Sequence, residues 1–133
     1  MTRYAIDAAT LVHLVSNGLA VDPSHQLVAP SSLRSQALDL LLQHVRAGEL
    51  DAREALAMHE LITETKVRLL GDRVSRRTAW DIARERDWPT LHDAEYLAVT
   101  KLQADALVTV DPDLVSKADG LVPVAPVSAL LGP

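Results

Sequence analysis

The chain has 133 residues, 48% of them hydrophobic, with neither cysteine nor phenylalanine and a formal net charge of −5. That length suits one domain with one core, able to bury roughly two-thirds of the surface its unfolded form exposes. The missing cysteines exclude disulfides, thiolate nucleophiles and sulfur-ligated zinc, and no apolar run is long enough to span a bilayer, so a single domain over residues 1–133 is expected, in the cytoplasm and with no membrane partner.

Only Tyr4, Trp80, Trp88 and Tyr96 are aromatic, so the core must be built of Leu, Val, Ile and Ala. Such cores suit helices packed on parallel strands. Residues 4–6 form a short apolar run ending at Asp7, and Leu11, Val12, Leu14 and Val15 then show helical spacing up to Asn17-Gly18. Strand, helix and C-cap are predicted in that order. A second strand is expected at 26–29, after which Pro30, Ser31 and Ser32 signal a helix carrying Leu33, Ala37, Leu40 and Leu41 and ending near Gly48. Asp51 with Glu54 makes a capping-box-like start for a further helix through Leu61 and Ile62.

Residues 67–70 read as a short strand, and Ser75 as the N-cap of a helix running to Asp87. Pro89 separates it from another helix over 90–103, with Leu91, Ala94, Leu97, Ala98 and Leu102 on one face. A buried strand is expected at 106–110, then a turn at Asp111-Pro112-Asp113, then a last strand at 122–125. Pro123 and Pro126 place that last strand at a sheet edge. Alternating strands and helices predict an α/β fold whose parallel sheet is covered on both faces, with ligands bound beyond the strand C-termini. Asp7 and Asp111 each follow a predicted strand, where side chains from separate segments converge. There is no internal repeat, low-complexity tract or linker.

Three segments resemble the motifs of PIN domains, specifically the VapC-type toxin ribonucleases of bacterial toxin–antitoxin pairs. Asp7-Ala8-Ala9 looks like the family's first aspartate, His92-Asp93-Ala94-Glu95-Tyr96-Leu97-Ala98 like its later Asp-Ala helix start, and Leu107-Val108-Thr109-Val110-Asp111 like its strand-closing Thr-x-Asp. The segment Ala29-Pro30-Ser31-Ser32-Leu33-Arg34-Ser35-Gln36-Ala37-Leu38 resembles the start of the family's second helix, where a glutamate normally completes the site; here the matching residue is Gln36. The resemblance implies a PIN-like three-layer α/β/α domain with a parallel sheet of four to five strands. It also implies a metal-dependent endoribonuclease that pairs with a VapB-like antitoxin, takes RNA as substrate and forms a homodimer.

The chemistry asks for such a cluster independently. Two carboxylates about 5 Å apart repel by roughly 3 kcal/mol at an effective dielectric near 20, so several together need a cation or a proton. Mg²⁺ or Mn²⁺ prefers oxygen ligands and can activate water against a phosphodiester. Asp7 and Asp93 are the expected metal ligands, Asp111 a ligand or neighbouring base, and Thr109 and Asp113 supporting residues. Gln36 keeps an amide carbonyl of nearly carboxylate shape but removes a charge, so a catalytically silent PIN-like module that binds antitoxin or RNA without cutting is the competing expectation. Each aspartate also has a structural role open to it. Asp7 can cap the first helix, Asp93 stands in capping-box spacing from Thr90, and Asp111 precedes Pro112 as N-caps do.

Other chemistries find little support. His13, His25, His44, His59 and His92 lack zinc spacing, with His92 alone placed to touch substrate, and there is no P-loop, dinucleotide fingerprint or serine-hydrolase elbow. A phosphatase with a strand-end aspartate would need a second aspartate where Ala9 stands. Ten of the thirteen basic residues are Arg, and Arg73, Arg76, Arg77, Arg84 and Arg86 fall in one stretch, which reads as a solvated helix face or a local basic surface for RNA. Trp80 reads as core or interface and Trp88 as a turn residue. The helices over 31–62 offer apolar surface to a partner.

Overall fold

A computed structural model describes residues 1–132. In chain order the elements are β1 (Thr2–Ile6), α1 (Ala8–Ser16), β2 (His25–Pro30), α2 (Leu33–Arg46), α3 (Ala52–Glu64), β3 (Arg68–Leu70), α4 (Arg73–Arg86), α5 (His92–Gln103), β4 (Ala106–Val108), α6 (Pro112–Ala118), β5 (Val124–Ala125) and a 3₁₀ turn at Val127–Leu130. The five strands form one sheet in the order β3-β2-β1-β4-β5, and every pairing is parallel. This is the α/β class expected from the sequence, with the sheet at five strands. Val124 and Ala125 hold an edge, as the flanking prolines predict.

Helices α1, α2 and α3 pack against one another as one layer, while α5 lies across β1, β2 and β4 with α4 against it as the other. Burial on both faces explains why β1 and β4 show no polar alternation: Ala5, Ile6, Leu107 and Val108 are all fully buried. Leu11, Leu33, Leu41, Ile62, Leu97, Val99 and Leu114 fill the layers from the helix side. Each such side chain contributes about 1.5–3 kcal/mol relative to exposure.

Several boundaries differ from the sequence reading. Helix α4 starts three residues earlier, because Asp72 is its N-cap; Ser75 sits inside the first turn and donates its hydroxyl to the Asp72 carboxylate. Pro30 closes β2 instead of opening the next helix, at the end of the ladder where its missing N–H is least needed. Strand β4 stops at Val108, since Thr109 turns into a hydrogen-bonded loop. The expected turn at Asp111-Pro112-Asp113 opens a further helix, α6, capped by the Asp111 side chain with Pro112 at its first position. Trp80 is 53% exposed on the outer face of α4, so it is no part of the core.

The topology sets the site. From β1 the chain moves to β2 and β3, then α4 and α5 carry it back to β4 on the other side of β1. The reversal therefore lies between β1 and β4, and the crevice beyond their C-termini is the place where open parallel sheets bind ligands.

Candidate active site

Asp7 follows β1 directly and caps α1, with its side chain only 6% exposed. Its Oδ1 accepts the Thr10 N–H at 3.0 Å and also the Thr10 hydroxyl, and its Oδ2 accepts the Thr109 hydroxyl at 2.8 Å. Thr109 Oγ1 in turn accepts the Asp111 N–H at 3.0 Å, and Thr10 Oγ1 accepts the Val110 N–H at 3.1 Å. The loop after β4 is thus stitched to the start of α1, which brings Asp111 beside Asp7. Burial raises the Asp7 pKa above the usual carboxylate value; the Thr10 and Thr109 hydrogen bonds oppose this and the Asp111 charge adds to it. Asp111 holds the first turn of α6 by accepting the Asp113 N–H at 2.9 Å.

Gln36, half-buried on α2, reaches the same crevice from another side. Its Oε1 accepts the Tyr96 hydroxyl, and its Nε2 lies 3.3 Å from Ser32 Oγ and 3.4 Å from His92 Nδ1. Tyr96 is 4% exposed. Burial, then the Asp7 charge, push its pKa well above the ordinary tyrosine value, so the phenol stays protonated as the donor to Gln36.

Asp93 does not cap α5: the N-cap is Leu91, without a side-chain hydrogen bond, and the Thr90–Asp93 capping box is not formed. Its Oδ2 instead accepts from Lys117 Nζ at 2.6 Å, and the same ammonium lies 3.2 Å from Asp113 Oδ2. Lys117 also stands over the Trp88 ring, 5.4 Å from its centroid. The Asp93 carboxylate, aided by Asp113, raises the lysine's pKa further above neutrality.

The structure therefore links Asp7, Thr109 and Asp111 by hydrogen bonds, joins Gln36 to Tyr96, whose hydroxyl feels the Asp7 charge, and joins Asp93 to Asp113 through Lys117. Thr10, Tyr96 and Lys117 are additions that the sequence reading did not assign. Among the described residues, no three His, Cys, Asp or Glu side chains stand together as a ready metal cage. The donor set nevertheless suits a hard cation in kind, since Asp7, Asp93, Asp111, Asp113 and the Gln36 carbonyl offer only oxygen. Of the histidines, only His92 reaches this rim. A cavity of about 620 Å³ opens at the opposite end of the sheet among Leu14, Leu19, Val21, His25 and Val67, away from every acidic residue of the site.

No family model matches the chain. No curated protein matches it either. Solved structures do, across nearly the whole length of both partners. PAE2754 from Pyrobaculum aerophilum is 22% identical, with 97% of this chain and 93% of that one covered and a TM-score of 0.70. VapBC-5 from Mycobacterium tuberculosis, a member of the VapBC family of toxin–antitoxin systems, is 17% identical over 95% of this chain and 98% of that one, with a TM-score of 0.59. VapBC-1 from nontypeable Haemophilus influenzae is 13% identical over 93% and 97%, with a TM-score of 0.57. The chain shares the fold of these proteins, the PIN-like fold that its motifs imply.

Proposed function

We propose that this protein is a metal-dependent endoribonuclease, the toxin of a type II toxin–antitoxin pair, which hydrolyses RNA phosphodiester bonds at the crevice beyond β1 and β4. The observation that supports this reading best is the hydrogen-bonded linkage of Asp7, Thr109 and Asp111 at the sheet's point of reversal, beside a Tyr96 that feels the charges of both Asp7 and Asp93. A Mg²⁺ or Mn²⁺ ion would be held by Asp7, Asp93 and Asp111, and when bound would supply the positive charge that polarises the scissile phosphate and makes its water acidic.

The protein's own part in this is positional and protolytic. Thr10 and Thr109 fix the Asp7 carboxylate in one orientation. Tyr96 fixes the Gln36 carbonyl by donating its hydroxyl to it. Asp111 uses Oδ1 on the Asp113 amide, which leaves Oδ2 either to ligate the cation or to take the proton of an attacking water.

The test is incubation of a small-RNA pool with Mg²⁺ or Mn²⁺, with chelator as the blank. Metal-dependent cleavage that disappears in Asp93→Asn is expected. A second reading, a silent module that binds antitoxin or RNA without cutting, draws support from Gln36 and from the Lys117 pairing of Asp93, which together lower the site's negative charge. Absence of cleavage at any metal concentration would select it.

The proposed partners follow the same reading: a VapB-like antitoxin and a second copy of the chain, in the cytoplasm. Exposed Leu38 and Leu42 on α2 and Leu56 and Leu61 on α3 offer them apolar surface. No helix among the described residues is long and apolar enough to cross a membrane. For RNA, the outer face of α4 presents Arg73, Arg77, Trp80 and Arg84 at helical spacing, suited to phosphate contact and base stacking. Arg77 is already paired with Asp81, and Arg76 donates to the Gly71 carbonyl, so Arg73 and Arg84 are the better reporters. Replacing both with Ala should weaken binding of single-stranded RNA and flatten its salt dependence by about 1.4 in log–log slope. An unchanged slope in a filter-binding titration would remove this face from the proposal.

A further inference from the structure

We infer that Lys117 is a built-in counter-cation of the acidic site, so that a divalent ion reaches Asp93 only by displacing the lysine ammonium. The inference rests on the metal-site reading above and deepens it.

Four features of Lys117 carry it. Its ammonium makes the closest ion pair among the described residues, 2.6 Å from Asp93 Oδ2. A second carboxylate, Asp113, lies at 3.2 Å one helical turn away on α6, so the ammonium bridges two carboxylates much as a metal ion would. The Trp88 ring, 5.4 Å away, gives the cation a third favourable surface and limits where the side chain can go. Finally, the side chains of Lys117 and Asp93 remain 30% and 34% exposed, so water and ions can reach the pair without unfolding it.

The local fold explains why the lysine sits there. The Asp111 cap and Pro112 start α6 beside the crevice, and seven helical residues place Lys117 four positions after Asp113 on the face that meets the start of α5. Gln36 then acquires a second meaning. The site lacks one carboxylate and contains one ammonium, so it carries less negative charge than four free carboxylates would, and it is electrostatically tolerable before any metal arrives. Metal entry and release of Lys117 from Asp93 are one coupled event. Cleavage would accordingly set in at higher metal concentration than at a site with a free Asp93.

The experiment is Mn²⁺ titration of the metal-free, unmodified chain, followed by calorimetry and by the paramagnetic resonance of free Mn²⁺, with thermal melts to verify folding. Lys117→Met, which keeps the apolar stem over Trp88, is expected to bind Mn²⁺ at least about tenfold more tightly than the unmodified chain, and Lys117→Gln should behave alike. Loss of a positive charge alone would strengthen metal binding through space, so the decisive comparison is made in an Asp93→Asn background. There the gain from Lys117→Met should shrink to that through-space part, because the lysine no longer withholds Asp93. Equal binding by the unmodified and Lys117→Met chains, with both weakened by Asp93→Asn, would overturn the counter-cation role and leave the metal site standing. A gain that persists undiminished with Asp93→Asn would also overturn it. No Mn²⁺ binding by any of these proteins would overturn the metal-site reading itself, and this inference with it.

Discussion

Asp7→Asn should abolish metal-dependent cleavage and, at pH 7 in chelator, raise the melting midpoint of the protein. The two effects share one cause. Asp7 is buried at the end of β1, and burial raises its pKa even against the Thr10 and Thr109 hydrogen bonds. From the ordinary aspartate value up to the raised folded value, the folded state binds more protons than the unfolded one. Stability therefore falls as pH rises through that window, and the whole penalty is present above it. Asn removes the charge and keeps the geometry, since it caps helices about as well as Asp. The hydroxyls of Thr10 and Thr109 can turn to accept from the new amide, because each is both donor and acceptor. The advantage of the variant should shrink as the pH is lowered through the window, which melts at pH 7 and pH 4 would read directly. Loss of a direct ligand should cost cleavage at least about 100-fold, since even outer hydrogen-bond partners of metal ligands cost 10–100-fold. If the variant melted lower than the unmodified chain at pH 7, the three donors to Asp7 would outweigh its burial, and the site would not be strained by its own charge.

Much of this arrangement was legible in the residue order. Strands such as β1 and β4 are buried on both faces and therefore appear as continuous apolar runs, and the aspartates that follow them mark the strand ends. Asp51 caps α3 through the Glu54 amide at 2.8 Å, as its spacing predicts. Failures occurred where a longer-range contact overrode a local signal. Thr90 and Asp93 have capping-box spacing, yet Lys117, 24 positions away, takes the Asp93 carboxylate at 2.6 Å. Helix α6 has only seven residues with Leu114 and Ala118 buried, too few to display a period, so the sequence offers Asp111-Pro112 as a turn and as an N-cap without a helix to follow it, and Lys117 goes unassigned. The cap-then-proline pair, which marks a helix start, is the part of α6 that the sequence does show. Tyr96 could have been found from its position three residues after Asp93 on one helix, whereas its contact with Gln36 joins α5 to α2 and leaves no trace in local spacing. Helical spacing reads Trp80 as core or interface; the buried face of α4 is that of Ala79, Ile82 and Ala83, as the sequence predicts, and Trp80 lies outside the core.

Gln36→Glu should move metal affinity and metal-free stability in opposite directions. The new carboxylate has the shape of the amide and still accepts the Tyr96 hydroxyl, so the α2–α5 contact persists. The amide's donor contacts change sign: Ser32 can rotate its hydroxyl to donate, whereas His92 can donate from Nδ1 only when that nitrogen carries a proton. Meanwhile a further negative charge enters a crevice whose influence already raises the Tyr96 pKa through Asp7, Glu95 and Asp93. Each additional pair of like charges about 5 Å apart costs roughly 3 kcal/mol at an effective dielectric near 20, and a bound cation reverses that cost. The metal-free melting midpoint should fall, the upward shift on adding Mn²⁺ should exceed that of the unmodified chain, and Mn²⁺ should bind about tenfold more tightly, as ligand charge count governs such sites. Cleavage separates the remaining cases. A rise from a measurable level means that glutamine attenuates a working nuclease; activity only in the glutamate variant means that glutamine disarms it. A fall would mean that the neutral Gln36 amide, held by Tyr96 and neighbouring His92, is itself a productive part of the site, with the extra charge repelling the RNA phosphate it was expected to help bind.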